Sequence, residues 1–145
     1  MELLVEGGTM KIFISSHGRL ASGLKSSFNI LFGPCDYITV FDAYIDERSV
    51  QEELEKFYET VEEGEQVILL SDLYGSSVNQ AMCMYAGRPD TTLIASVNLA
   101  LVMGLAGRER ISREELEELV EQSRQLLQIV DMEPATGQQK EEEFF

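Results

Sequence analysis

Four short apolar runs, each followed by a stretch of helical periodicity, constrain this chain more than anything else in it. The first is Lys11 to Ser16; after it Leu20, Leu24, Phe28 and Leu31 recur at helical spacing to about Phe32, where Gly33-Pro34 stops the pattern. Asp36 to Ala43, rich in β-branched and aromatic residues, is the second. Ser49 and Glu52 then have capping-box spacing, and Val50, Leu54, Phe57 and Val61 fall on one helical face that Gly64 closes. Gln66 to Leu70 is continuously apolar at its centre, as buried parallel strands are, and leads to a helix from about Val78 to Ala86. Thr91 to Val97 is the fourth run, and a short helical segment extends from Asn98 through Leu105. Ser112 and Glu115 repeat the capping-box spacing, and Leu116, Leu119, Val120, Ser123, Leu127 and Val130 make one face of a last helix. The order β-α-β-α-β-α-β-α-α predicts an α/β fold with three layers, helices covering both faces of a mainly parallel sheet of four strands. There is no internal repeat and no sign of a second domain.

With 145 residues, 44% of them apolar, the chain is long enough for one domain with a genuine core. Residues 10–132 are expected to form it. Residues 1–9 look unlike the start of a domain. Glu6-Gly7-Gly8 can be encoded by a purine-rich stretch resembling a bacterial ribosome-binding site, so Met10 is expected to be the natural start. Residues 133–145 contain Gly137, Gln138, Gln139 and three glutamates, and are expected to be a disordered acidic tail. No run of 18 or more apolar residues predicts a membrane span, and no secretion signal is seen, so a cytoplasmic location is expected. Cys35 and Cys83 are far apart, lack CxxC spacing and sit in apolar segments, which predicts two buried, reduced thiols. The net charge of −15 opposes binding to nucleic acid. It suits a basic partner, or simply high solubility.

The sole histidine, His17, lies where the first run gives way to its helix, in Ser16-His17-Gly18. The third run ends in a polar, small-residue turn, Ser71-Asp72-Leu73-Tyr74-Gly75-Ser76-Ser77. In a parallel sheet the turns after strands one, three and four emerge at one edge, where reacting groups of open α/β sheets usually lie. His17, Asp72 and Asn98 are therefore expected in one neighbourhood. A carboxylate facing a histidine accepts a hydrogen bond from one ring nitrogen, fixes the tautomer and leaves the other nitrogen as a nucleophile. Gly18 and the helix N-terminus after it offer N–H groups and a positive dipole end to an anion at the imidazole. Gly75, Ser76 and Ser77 add further N–H groups and two hydroxyls. Taken singly, each residue has a plainer reading: a surface histidine, a turn aspartate, two N-caps. Their conjunction at one edge is what favours a site. One histidine without a thiolate pair is a weak ligand set, so no metal is expected. Neither GxxxxGK[ST] nor GxGxxG occurs, so neither a nucleotide nor any other cofactor is expected.

These residues also carry a resemblance. Residues 16–27, Ser-His-Gly-Arg-Leu-Ala-Ser-Gly-Leu-Lys-Ser-Ser, with Ile30-Leu31-Phe32-Gly33, resemble the opening of the mannose-family EIIA domains of the bacterial phosphoenolpyruvate-dependent sugar phosphotransferase system. Leu70 to Asn79 is similar to that family's Asp-x-aromatic-Gly-Gly-Ser-Pro-x-Asn motif, and Val97-Asn98-Leu99 to its Val-Asn-[Ile/Leu]-Pro motif. The likeness covers about residues 10–130. Ser76 stands in place of the second glycine, Val78 of the proline, and Ala100 of the proline of the third motif.

The resemblance implies a phosphocarrier in which His17 takes a phosphoryl group on Nε2 from the phosphohistidine of HPr and passes it to a separate EIIB chain. It implies that Asp72 orients His17 and that Ser77 bonds the phosphoryl oxygens, with Gly18, Gly75 and Ser76 beside it and Tyr74 and Asn98 at the rim. It further implies a homodimer in which a short C-terminal strand pairs antiparallel with the partner's sheet, adding a fifth strand. Leu127 to Met132 is the segment able to supply it, although the helical periodicity claims the same residues. The related phosphotransfer subunit of dihydroxyacetone kinase is a runner-up, against which Gly23-Leu24-x-x-Ser27 favours the sugar-transport branch. A flavodoxin-like ligand-binding module, or a regulator whose phosphorylation only signals sugar supply, are alternatives of other classes.

Overall fold

At the centre of a parallel four-stranded sheet, β1 (Lys11–His17) and β3 (Val67–Ser71) run side by side. β2 (Ile38–Ala43) lies outside β1 and β4 (Thr91–Ile94) outside β3, giving the order β2-β1-β3-β4. The computed structural model describes residues 10–132, and the expectations for residues 1–9 and 133–145 lie outside the described residues. Among the described residues there are five helices: α1 (Leu20–Leu31), α2 (Val50–Glu59), α3 (Ser77–Cys83), α4 (Leu99–Leu105) and α5 (Arg113–Gln125).

Strand alternation divides the core in two. Ile12, Ile14, Ile68 and Leu70 point to one face, where they pack with Ala21 and Phe28 of α1, Leu101, Val102 and Leu105 of α4, and Leu116 of α5. Phe13, Val67 and Leu69 point to the other, against Leu54 and Phe57 of α2 and Val78 and Met82 of α3. The three layers expected from the element order are thus present. All five β3 side chains are buried, which is why that run is apolar without alternation.

The strand order has one consequence for function. From β1 the chain moves outward through α1 to β2; from β3 it moves the opposite way to β4. The crevice between the C-terminal ends of β1 and β3 is therefore a topological switch point, the usual place for a site in such sheets. Ser15 pairs with Ser71 in register, so His17 and Asp72 follow at neighbouring strand ends.

Several sequence expectations need correction. β1 runs through His17, which pairs with Ala43 of β2, so His17 is the last strand residue and the turn starts at Gly18. The fourth strand ends at Ile94, not Val97, because Ser96 takes a left-handed φ of 60° and Val97 donates back to the Ser71 carbonyl. The last helix stops at Gln125, not Val130: beyond it Leu127 and Val130 meet no core and lie exposed. Residues 126–132 form neither helix nor strand within the single chain, so the fifth strand is not part of this four-stranded sheet. Cys35 and Cys83 are free thiols as expected, but they are not buried: Cys35 is half-buried and Cys83 is exposed at the end of α3.

Candidate active site

Two polar turns at the switch point are locked by their own side chains before they meet. At the end of β1, Ser16 is buried; its hydroxyl donates to the Gly18 carbonyl and accepts from the Ala21 N–H. Asp42 of β2 accepts from the Ser22 N–H and hydroxyl. These two residues cap α1 from the sheet side, since Arg19 at the N-cap position makes no side-chain cap. Gly18 holds a φ of 64°, a conformation that glycine adopts without penalty.

At the end of β3, Ser76 caps α3 by accepting from the Asn79 N–H at 3.1 Å. Buried Asn79 braces the turn from inside, accepting from the Gly75 N–H and donating to the Ser71 hydroxyl. Asp72 is the hub. Its Oδ1 accepts from the Ser76 hydroxyl and the Leu73 N–H, both at 2.7 Å. Its Oδ2 accepts from the His17 N–H at 2.8 Å and from the ring Nδ1 at 2.7 Å.

The Asp72 side chain is only 9% exposed, while the His17 ring is half exposed. Burial pushes the Asp72 carboxyl up, but the hydrogen bonds from the His17 ring and backbone, the Ser76 hydroxyl and the Leu73 N–H outweigh it. Together they bring its pKa down to about 2. A carboxylate ionised at all ordinary pH can only accept, so Nδ1 must carry the proton. In the neutral ring this leaves the Nε2 lone pair outward. Ser77 Oγ lies 3.2 Å from Nε2 and therefore donates to it.

One participant is absent from the sequence reading. The Tyr44 ring stacks on the His17 imidazole with centroids 4.8 Å apart and planes inclined by 24°. Its hydroxyl lies 2.8 Å from Ser77 Oγ. The expected site draws on the turns after strands one, three and four, although β2 is parallel as well and its turn emerges at the same edge. The available signal was a tyrosine at the first position after the second apolar run.

The remaining expected residues are distributed unevenly. Ser77 stands at Nε2, whereas the Ser76 hydroxyl faces Asp72. The Gly18 N–H is engaged by the Ala43 carbonyl, so this donor is part of the sheet and not of an anion cradle. The Gly75 N–H is likewise held, by Asn79. Tyr74 is 86% exposed beside the site. Asn98 caps α4 through the Leu101 N–H and donates to the Ser123 carbonyl, so its polar groups tie α4 to α5 and do not reach His17. Among the described residues, no group of three or more His, Cys, Asp or Glu side chains is placed to hold a metal.

The arrangement offers a single outward ring nitrogen of fixed tautomer, a hydroxyl beside it, and a buried anion behind it. That is a nucleophile able to accept an electrophilic group and to stabilise the resulting imidazolium.

The family described as the fructose IIA component of the phosphotransferase system, EIIA-man, matches residues 11–124. No curated protein sequence matches the chain. Among solved structures, the chain is similar to one assigned as a phosphoenolpyruvate-dependent sugar phosphotransferase system permease from Klebsiella pneumoniae, with a TM-score of 0.76 at 22% identity over 88% of this chain and 96% of that one. It is also similar to the mannose/sorbose-specific IIA subunit from Enterococcus faecalis, with a TM-score of 0.70 at 21% identity over 86% and 97%. A third, phosphotransferase component EIIA from Streptococcus agalactiae, gives 0.69 at 21% identity over 85% and 97%. Identities this low speak for the shared fold.

Proposed function

Since the chain belongs to the EIIA-man family of sugar phosphotransferase components and is a phosphocarrier of the mannose type, we propose that His17 is the residue that carries the phosphoryl group. The observation that supports this most is the Asp72–His17–Ser77 line, which leaves Nε2 as the outward nitrogen. In this reading the Nε2 lone pair attacks the phosphorus of phosphohistidine on HPr. The phosphorus–nitrogen bond of the donor breaks, its ring nitrogen regains the electron pair, and a new bond forms at Nε2. The phosphorylated ring keeps its Nδ1 proton and is cationic, and Asp72 opposes that charge at 2.7 Å. Transfer to a separate EIIB chain repeats the displacement in the other direction. Phosphoryl transfer of this kind relies mainly on positioning and charge stabilisation. Wild-type protein incubated with phosphoenolpyruvate, enzyme I and HPr is expected to gain acid-labile phosphate; an unlabelled protein would refute the reading.

The proposed docking face is the apolar rim around His17. Leu20 and Ile45 are about half exposed, Leu73 is 67% and Tyr74 86% exposed, unusual for such residues beside a polar site. The net charge of −15 favours encounter with a basic face on the donor. Leu73→Glu is expected to raise the HPr concentration at half-maximal rate roughly fivefold to tenfold, as loss of an interface anchor does, with the maximal rate little changed. An unaltered half-saturation would remove Leu73 from the docking face.

The homodimer belongs to the same proposal. β4 leaves the sheet with an open edge, and a groove of about 650 Å³ runs between Thr92–Ser96 and Leu116 and Val120 of α5. Leu127, Ile129 and Met132 are each nearly nine-tenths exposed, an apolar segment in search of cover. Exchange of this segment onto the partner's β4 edge accounts for both. The whole chain is expected to sediment as a dimer and Ile129→Pro as a monomer, because proline removes a ladder donor. A monomeric wild type would refute the exchange. Among the described residues no helix is long and apolar enough to cross a membrane.

A further inference from the structure

Tyr44 is a bulky aromatic residue held in a conformation it does not favour. Its φ is 67°, in the left-handed region where residues with large side chains are uncommon, and its side chain is largely exposed, so burial does not compensate for the strain. Ala43, immediately before it, pairs with His17 across the sheet. The left-handed turn at Tyr44 accompanies a ring that lies over the imidazole instead of following the strand outward. A strained residue whose side chain lies against a reactive group calls for a role at that group.

In the neutral ring, the form with a lone pair to attack, Asp72 sets the hydrogen-bond directions. With Nδ1–H donating to the carboxylate, Nε2 accepts, and the Ser77 hydroxyl donates to it. The Ser77 oxygen is then left to accept from the Tyr44 hydroxyl at 2.8 Å. The chain of donors thus reads Tyr44 to Ser77 to Nε2, and each bond polarises the next.

We propose that Tyr44 is a positioning residue for phosphoryl transfer: its ring holds the plane of the His17 imidazole, and its hydroxyl holds the Ser77 hydroxyl at Nε2. This rests on the assignment of His17 as the phosphoryl carrier. As Nε2 bonds to phosphorus and the donor's phosphorus–nitrogen bond breaks, the Ser77 hydroxyl leaves Nε2 and donates to a phosphoryl oxygen. Tyr44 remains its donor throughout. The Nε2 lone pair is thereby kept aligned before transfer, and the hydroxyl that greets the phosphoryl group is already in place.

Two substitutions separate the ring from the hydroxyl. Tyr44→Phe keeps the stack and removes the donor; Tyr44→Gly removes both and relaxes the backbone. Because the chain has one histidine, the imidazole protons give unique nuclear magnetic resonance signals. Stacking on Tyr44 shifts them by its ring current. The expected result is that the shift persists in Tyr44→Phe and disappears in Tyr44→Gly.

In single-turnover transfer from phospho-HPr, the maximal rate constant is expected to fall roughly threefold to tenfold for Tyr44→Phe, the worth of one hydrogen bond. For Tyr44→Gly the fall is roughly 10- to 100-fold. Half-saturation stays unchanged in both, and Tyr44→Gly melts no lower than the wild type. Unchanged rate constants, a change confined to half-saturation, or imidazole signals insensitive to Tyr44→Gly would each overturn the positioning role. If those variants match a wild type that is labelled normally, the carrier assignment stands without Tyr44. If the wild type itself takes no label, the carrier assignment falls, and the role of Tyr44 in transfer falls with it.

Discussion

Replacing His17 with alanine is expected to abolish phosphoryl uptake from phospho-HPr, to the detection limit of the label. The expectation is absolute because no second imidazole exists in the chain to act as a substitute. It is also a clean test of chemistry, because the fold does not depend on this ring. His17 is the last residue of β1, half exposed, and its backbone N–H would still donate to Asp72 in the variant. The loss to stability is one exposed-edge side-chain hydrogen bond and a stacking contact, on the order of 1–2 kcal/mol. The variant should therefore be folded and inert, with an unaltered circular-dichroism spectrum and no acid-labile phosphate. Labelling at the wild-type level would place the phosphoryl group on another residue and refute the proposed site.

Asp72→Asn is expected to retain the shape of the site and lose most of its rate, by roughly 100-fold or more. An amide cannot carry the negative charge that opposes the phosphorylated ring. Its N–H₂ group also competes with Nδ1–H, favouring the tautomer whose proton sits on Nε2, where no lone pair remains for attack. Measured as single-turnover transfer, a rate within a factor of two of wild type would dismiss the orienting role. The same substitution has a signature in acid. The carboxyl is held at about 2 in the folded protein against an ordinary 3.8. A depressed carboxylate stabilises the fold above its unfolded pKa, and that contribution disappears as pH falls from near 4 toward 2. The wild type should lose about 2 kcal/mol over this window beyond what the Asn variant loses. Parallel stability curves for the two proteins would show that Asp72 gains nothing from its partners.

The element order was readable because apolar periodicity changes from continuous runs to helical stripes at each junction, and because Ser49 and Ser112 announce their helices through real capping boxes. The meeting of His17 and Asp72 was readable only as a shared edge. Nothing in the linear chain says that β1 neighbours β3; that follows from how α1 and α2 cover opposite faces, so that the second right-handed crossover carries β3 back past β2 to the other side of β1, a matter of tertiary packing. Asn98 shows the limit of the edge argument. It lies after the outermost strand, and a motif residue in that place is equally suited to cap a helix, which is how its polar groups are engaged. Gly18 shows another limit, since a free N–H and one bonded to a neighbouring strand look alike in sequence. Tyr44 was legible only in part: its place after a parallel strand puts it at the same edge, but its reach over the imidazole depends on a left-handed φ that tyrosine gives no cause to expect.

The half-exposed imidazole opens outward through one nitrogen, inside one apolar rim. Two proteins cannot occupy that rim together, so on the proposed reading donor and acceptor must take turns. The carrier works as a turnstile, admitting one visitor and releasing it before the next can enter. An abundant donor that lingers would then obstruct the very flow it feeds. Throughput is set by how briefly each partner stays, and a rim of scattered apolar side chains around a small polar centre suits short visits.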